Sequence, residues 1–282
     1  MEALSHNDIR DFLAVAGDFL GADPVNHSVH LTGLDAALQG RRPAVTLISL
    51  HDDGSVVGAA TRMQGRPLHV AAMPVTAAPL VAEALRGEEI TEVTGTRDKV
   101  EAFRRLWREG GTETYALRLY RLEDLVVPDV PGESRLATPA DDDLITEWWI
   151  QFVAELDGLP RDEAEKRAGD SRWMDAGHVL WLVDGVPVSW AGSTAPLAGV
   201  SRVGPVYTPP EHRRHGYAAA VTAAVSQWAY GEGVEHVVLA ADLANPTANS
   251  IYQGIGFRPV SDWSEYRWDQ ALPPGPSSAS LT

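Results

Sequence analysis

The chain has 282 residues, is 44% hydrophobic and carries a formal net charge of −16. That length suits one large or two small domains with full cores, and that acidity disfavours a nucleic-acid partner by repelling phosphate. With no cysteine, disulfides, thiolate metal sites and a cysteine nucleophile are excluded.

The opening Met-Glu-Ala-Leu-Ser-His-Asn-Asp has neither a basic nor an apolar region, so no signal peptide is expected. Apolar runs are too short to cross a bilayer. A cytoplasmic protein without a membrane partner is the expectation. No His-Glu-x-x-His, Gly-x-Ser-x-Gly or P-loop occurs, and no metal is expected. His27 and His30, at i and i+3, suit packing or a surface role.

The periodicity predicts a first helix over 5–20, capped by Ser5, with Ile9, Phe12, Leu13, Val15 and Phe19 on its apolar face. A second fits 24–39. Strands follow at 44–50 and 55–62, joined by an Asp52-Asp53-Gly54 hairpin turn, and then at 67–73. Next come a helix at 77–86, a strand near 90–93, a helix capped by Thr96, and a strand at 112–122. The stretch 126–134 is rich in turn formers and reads as a linker.

The series then repeats. A helix starts at Pro139 and another fits 161–168. Strands are predicted at 179–183 and 188–192, about Asp184-Gly185, and at 201–207. A helix with Val221, Val225 and Trp228 on one face precedes a strand at 234–241, a helix at 248–255 and a closing strand near 265–269. Trp148, Trp149, Trp173, Trp181 and Trp190 are expected mostly in the core. The tail 271–282, with Pro-Pro-Gly-Pro and serines, is expected to be disordered.

Chemistry concentrates at two strand-to-helix junctions of the second series. After the 201–207 strand, Pro209-Pro210 ends the ladder, and Arg213-Arg214-His215-Gly216-Tyr217-Ala218 opens a helix. A helix start offers free N–H groups and a positive dipole end. Gly216 and Ala218 remove bulk, and the arginines add charge, giving an anion cradle suited to pyrophosphate. The next strand ends in Asn245-Pro-Thr-Ala248-Asn249-Ser-Ile-Tyr252-Gln-Gly-Ile-Gly256-Phe257.

Arg213, Gly216 and Ala218 match Gln/Arg-x-x-Gly-x-Gly/Ala. Asn245, Ala248, Tyr252, Gly256 and Phe257 match Asn-x-x-Ala-x-x-x-Tyr-x-x-x-Gly-Phe. In order and spacing these resemble the acyl-CoA-binding core of the GNAT superfamily of N-acetyltransferases, over about residues 134–269. The resemblance implies an α/β (α+β) chain of two tandem GNAT-like domains, each a mixed, partly splayed sheet flanked by helices. Residues 1–125 would form a degenerate copy: its counterpart of the cradle, 71–80, has no basic residue. Residues 126–134 would be the linker, and 135–270 the acetyl-CoA-binding domain.

The resemblance further implies transfer of an acetyl group from acetyl-CoA to a primary amine of a small molecule or peptide, by direct attack in a ternary complex. A sensor that binds acyl-CoA without turnover is the alternative. The cofactor would contact Val206, Tyr207, Thr208, Arg213, Arg214, His215, Gly216, Tyr217, Ala218, Ala219, Asn245 and Asn249. Tyr252 would protonate the leaving thiolate, its phenol having an ordinary pKa of about 10. The base is open between Glu211, Asp242, Glu155 and ordered water. Monomer and homodimer are both compatible with a pseudo-repeat.

Overall fold

The computed structural model describes residues 1–169 and 177–268. The expectations for Trp173, for residue 269 and for the 271–282 tail lie outside them. The chain divides into two compact units. One comprises Met1–Ala22, Gly33–Ala116 and the chain from Asp262; the other comprises Asp23–Thr32 and Leu117–Ser261. No helix among the described residues is long and apolar enough to cross a membrane.

The elements fall into two series of the same order. The first is β1 (Glu2–Ser5), α1 (Ile9–Gly21), α2 (Ser28–Leu38), β2 (Ala44–Asp52), β3 (Ser55–Met63), β4 (Leu68–His69), α3 (Ala78–Ala84), β5 (Glu92–Thr96), α4 (Arg97–Trp107) and β6 (Thr112–Leu122). The second is β7 (Glu133–Leu136), α5 (Asp142–Asp157), α6 (Arg161–Gly169), β8 (Gly177–Val183), β9 (Val186–Ser193), β10 (Val200–Tyr207), α7 (Tyr217–Gly231), β11 (His236–Asp242), α8 (Pro246–Gly254) and β12 (Phe257–Arg267). Each series has a short 3-10 turn before its third helix.

Sequence reading missed the opening strands β1 and β7, which are only four residues long. Ser5 therefore ends a strand. The cap of α1 is Asp8, whose side chain accepts from the N–H groups of Arg10 and Asp11. The buried face of that helix is Phe12, Ala16 and Leu20, while Val15 is exposed. Both hairpin turns stand as expected: Asp53-Gly54 and Asp184-Gly185 all have positive φ, which matches the twist of the strands they join.

The first unit orders its strands β1-β2-β3-β4-β5-β12; the second orders them β6-β11-β10-β9-β8-β7. The closing strands are thus exchanged. Residues 117–121 of β6 pair antiparallel with β11 of the second unit. Residues 263–267 of β12 pair antiparallel with β5 of the first. This grouping differs from a division at 126–134. That stretch is packed into the second unit: Val126 donates to the Ile255 carbonyl, Val130 packs on the core, and the Pro131 carbonyl accepts from the Trp181 indole at 3.0 Å. The closing strand also begins at Phe257 and is far longer than expected.

Ile48, Leu50, Leu68, Val93, Val100 and Phe103 belong to the core of the first unit. In the second unit Tyr120, Val179, Val203, Leu239 and Phe257 share a core with Val221 and Val225 of α7, which is buried on most sides. Helix α5 is anchored at its start. Thr138 and Asp141 form a capping box, and Arg135 grips Asp141 with two 2.7 Å bonds. That guanidinium holds the Asp141 carboxyl well below the usual range.

Gly256 shows why a glycine precedes Phe257. Its φ is 107°, and a Cβ there would lie 1.9 Å from the Asp124 carbonyl oxygen. Gly256→Ala is expected to destabilise the protein by about 3 kcal/mol or more. Gly254→Ala, facing open space, is expected to be nearly neutral. Thermal unfolding of the two variants compares them directly.

Candidate active site

The site grows from an interrupted pairing in the second unit. Strands β10 and β11 run parallel and pair at Val200↔His236, Ser201↔Val237 and Arg202↔Val238, then part. A bulge between Val203 and Val206 shifts β10 against β9 at the same level. A cavity of about 590 Å³ opens between the carboxyl ends of the parted strands, where open α/β sheets collect ligands. Val206, Tyr207 and Thr208 line one side; Asp242, Asn245, Ala248, Ile251 and Tyr252 line another.

The start of α7 closes the end of the cavity through Arg213, Arg214, Gly216, Tyr217 and Ala218. Arg214 and Gly216 both sit in the left-handed region, at φ 67° and 84°. This turns successive N–H groups the same way. The backbone N–H groups of residues 214–219 have no acceptor among the described residues. At Gly216 a Cβ would come within 2.9 Å of Val130, so bare backbone is required there. His215 and Ala219 do not line the cavity. His215 stacks on Tyr217 at 5.3 Å, and Ala219 packs on the core.

The two arginines divide the work. Arg213 holds both Glu155 oxygens at 2.9 and 2.7 Å and donates through Nε to the Thr208 carbonyl at 2.8 Å. It thereby ties α5 to the cradle and bonds the carbonyl of Thr208, one of the residues whose backbone the resemblance gives to the cofactor. Arg214 makes no ion pair or hydrogen bond among the described residues, so its charge remains available. Glu155 also accepts from the Tyr207 hydroxyl at 3.1 Å. Burial, then Glu155, pushes the Tyr207 phenol up to about 12.

Tyr252 faces the cavity from α8, its ring edge-on to Phe257 at 6.1 Å. Its hydroxyl has no hydrogen-bond partner among the described residues, and burial pushes its pKa up to about 12. Asn245 lines the cavity but spends its side-chain oxygen capping α8, accepting from Ala248 N at 3.0 Å. Asn249 does not line it; its amide is bonded within the fold. Of the three carboxylates considered as base, Glu211 is exposed outside the cavity and Glu155 is paired. Asp242 lines the cavity, with Oδ1 accepting from Ala244 N at 2.8 Å and Oδ2 unbonded among the described residues. No cluster of three metal-ligating side chains occurs among the described residues.

Sequence reasoning missed the wall formed by Phe152 and Leu156 of α5. Their i, i+4 spacing was legible as a helix face, but Leu156 is 49% exposed, so the face is not one that core packing alone explains.

The model of the acetyltransferase (GNAT) family matches residues 142–257. These residues form a GNAT-family acetyltransferase domain. No curated protein matches the chain. Among solved structures, a tandem GNAT protein from the clavulanic acid biosynthesis pathway is 17% identical, covers 94% of this chain and 97% of its own, and superposes with a TM-score of 0.57. A GCN5-related N-acetyltransferase from Sphaerobacter thermophilus is 16% identical over 94% of this chain and 95% of its own, with a TM-score of 0.58. One from Kribbella flavida is 21% identical over 77% and 89%, with a TM-score of 0.55. At such identities the likeness is one of fold.

The left-handed backbone at Arg214 carries a stability cost that glycine would not. Arg214→Gly is expected to stabilise the free protein by about 0.5–1 kcal/mol, measured by denaturant unfolding.

Proposed function

We propose that the second unit transfers the acetyl group of acetyl-CoA to a primary amine of a small molecule or peptide, within a ternary complex. One observation carries the reading: parted strands place a row of free backbone N–H groups beside an unbonded, protonated phenol in the same cavity. The residues fit the ligand. The N–H groups of 214–219 and the Arg214 guanidinium suit a pyrophosphate. The edge of β10 at Val206 and the Asn245 amide suit the amides of a pantetheine arm.

Bound acetyl-CoA supplies the activated acyl group. The chain supplies position and protons. Tyr252 keeps its proton throughout the neutral range and holds it at the hydroxyl oxygen for the departing sulfur. Asp242, with one free oxygen on the cavity wall, is the carboxylate left to take a proton from the amine, directly or through water. Phe152 and Leu156 give the acceptor side an apolar wall.

Calorimetric titration is expected to find one acetyl-CoA per chain, and Gly216→Glu to abolish it. Binding that survives in that variant would remove the cradle from the reading. Tyr252→Phe is expected to keep acetyl-CoA affinity and lower turnover roughly 100-fold. Because burial raises the Tyr252 phenol above its ordinary value, a fall in wild-type rate below about pH 10 belongs to another group. Unchanged turnover in Tyr252→Phe would exclude the acid role.

A further inference from the structure

Resting on that reading, we propose that Tyr120 is a positioning residue, which through Asn249 fixes helix α8 and so aims the Tyr252 phenol. Tyr120 lies on β6, 129 residues before Asn249. Its residue is fully buried, yet its hydroxyl is satisfied. It donates to Asn249 Oδ1 at 2.6 Å and accepts from Gln253 Nε2 at 3.4 Å. Asn249 Nδ2 in turn donates to the carbonyls of Asp242 and Asn245, each at 2.7 Å. One amide thus joins β6, the end of β11 and the first turn of α8.

That helix needs the anchor. It has nine residues, none of them fully buried. A helix of this length is marginal without tertiary contacts. Asparagine inside a helix is ordinarily unfavourable because its side chain competes for backbone groups. Here that competition is used to bond outside the helix. Tyr252 follows Asn249 by three positions and precedes Gln253 by one, so both contacts of Tyr120 flank it. The Tyr252 hydroxyl bonds nothing among the described residues. Its aim is therefore set by the rotation of α8 and the edge contact with Phe257. Without the Tyr120 hydroxyl, the Asn249 oxygen loses its donor and the helix is free to rock.

Tyr120→Phe removes one oxygen and is expected to retain the fold and acetyl-CoA affinity while lowering turnover roughly 10- to 100-fold. Asn249→Ala is expected to do the same. In a Tyr252→Phe background, Tyr120→Phe is expected to change turnover by less than about twofold, because no phenol remains to be aimed. Equal losses in both backgrounds would make Tyr120 merely structural and overturn the proposal, as would full activity of Tyr120→Phe. Amide hydrogen exchange gives a readout that needs no substrate. Tyr120→Phe is expected to speed exchange over 246–254 about fivefold or more and to leave 217–231 unchanged. Unchanged exchange over 246–254 also overturns it. A wild-type protein that binds no acetyl-CoA, while Tyr120→Phe still loosens 246–254, would sink the acetyltransferase reading and its catalytic consequence, leaving only the pinning of α8.

Discussion

Everything at the site follows from where β10 and β11 stop pairing. Parallel strands ordinarily continue their ladder as far as both chains extend. Here the ladder ends at Arg202↔Val238, although both strands run on for several residues. The bulge in β10 and the Pro209-Pro210 break turn the chain away, and the free edge of β10 becomes a cavity wall. A buried free edge is costly unless something bonds it. On the proposed reading an extended ligand rich in amides meets that edge, and the same turn delivers the cradle to its end.

The first unit shows the same elements with that place filled. Leu68↔Val93 and His69↔Thr94 pair in parallel, and the next residue continues the contact, Val70 N donating to the Thr94 carbonyl at 2.9 Å. A Cβ on Gly95 would lie 2.9 Å from Ala71 N, so the two chains approach as closely as backbone permits. Lys99 donates to the Ala71 carbonyl. Val70 and Met73 belong to the core there. One topology thus gives a closed junction where the residues after the fourth strand of the series are apolar and small, and an open one where they are Pro-Pro followed by arginine.

The local parts of the site were legible because they depend on neighbours in sequence. Gly216 is required by a left-handed turn and Gly256 by a close crossing; each leaves a residue-type signature at one position, whereas Asn245, expected to contact the cofactor, caps α8 through its side-chain oxygen. Tyr120, the Arg213–Glu155 pair and the exchange of β6 with β12 were not legible. Each joins segments far apart in the chain, and a periodic strand pattern such as 112–122 does not say which edge it will join. Asn249 misled for a related reason. A polar residue inside a binding motif looks like a ligand contact, whereas its amide is consumed by carbonyls that only the fold brings near. The short strands β1 and β7 failed on length, since four residues cannot display a period.

The contrast between Arg213 and Arg214 carries the last step. At the motif's first position, charge is cancelled by Glu155 and the guanidinium acts as a brace, bonding a helix and a strand end at once. The next residue accepts an unfavourable backbone and keeps its charge free. In a chain of net charge −16, the long-range field opposes any anionic ligand. Attraction must therefore be local: one unpaired guanidinium, a helix dipole and a row of N–H groups within a few ångströms. Such short-range donors act most strongly once water is displaced. The apolar wall of Phe152 and Leu156 lies beside them in the cavity, where it serves that displacement.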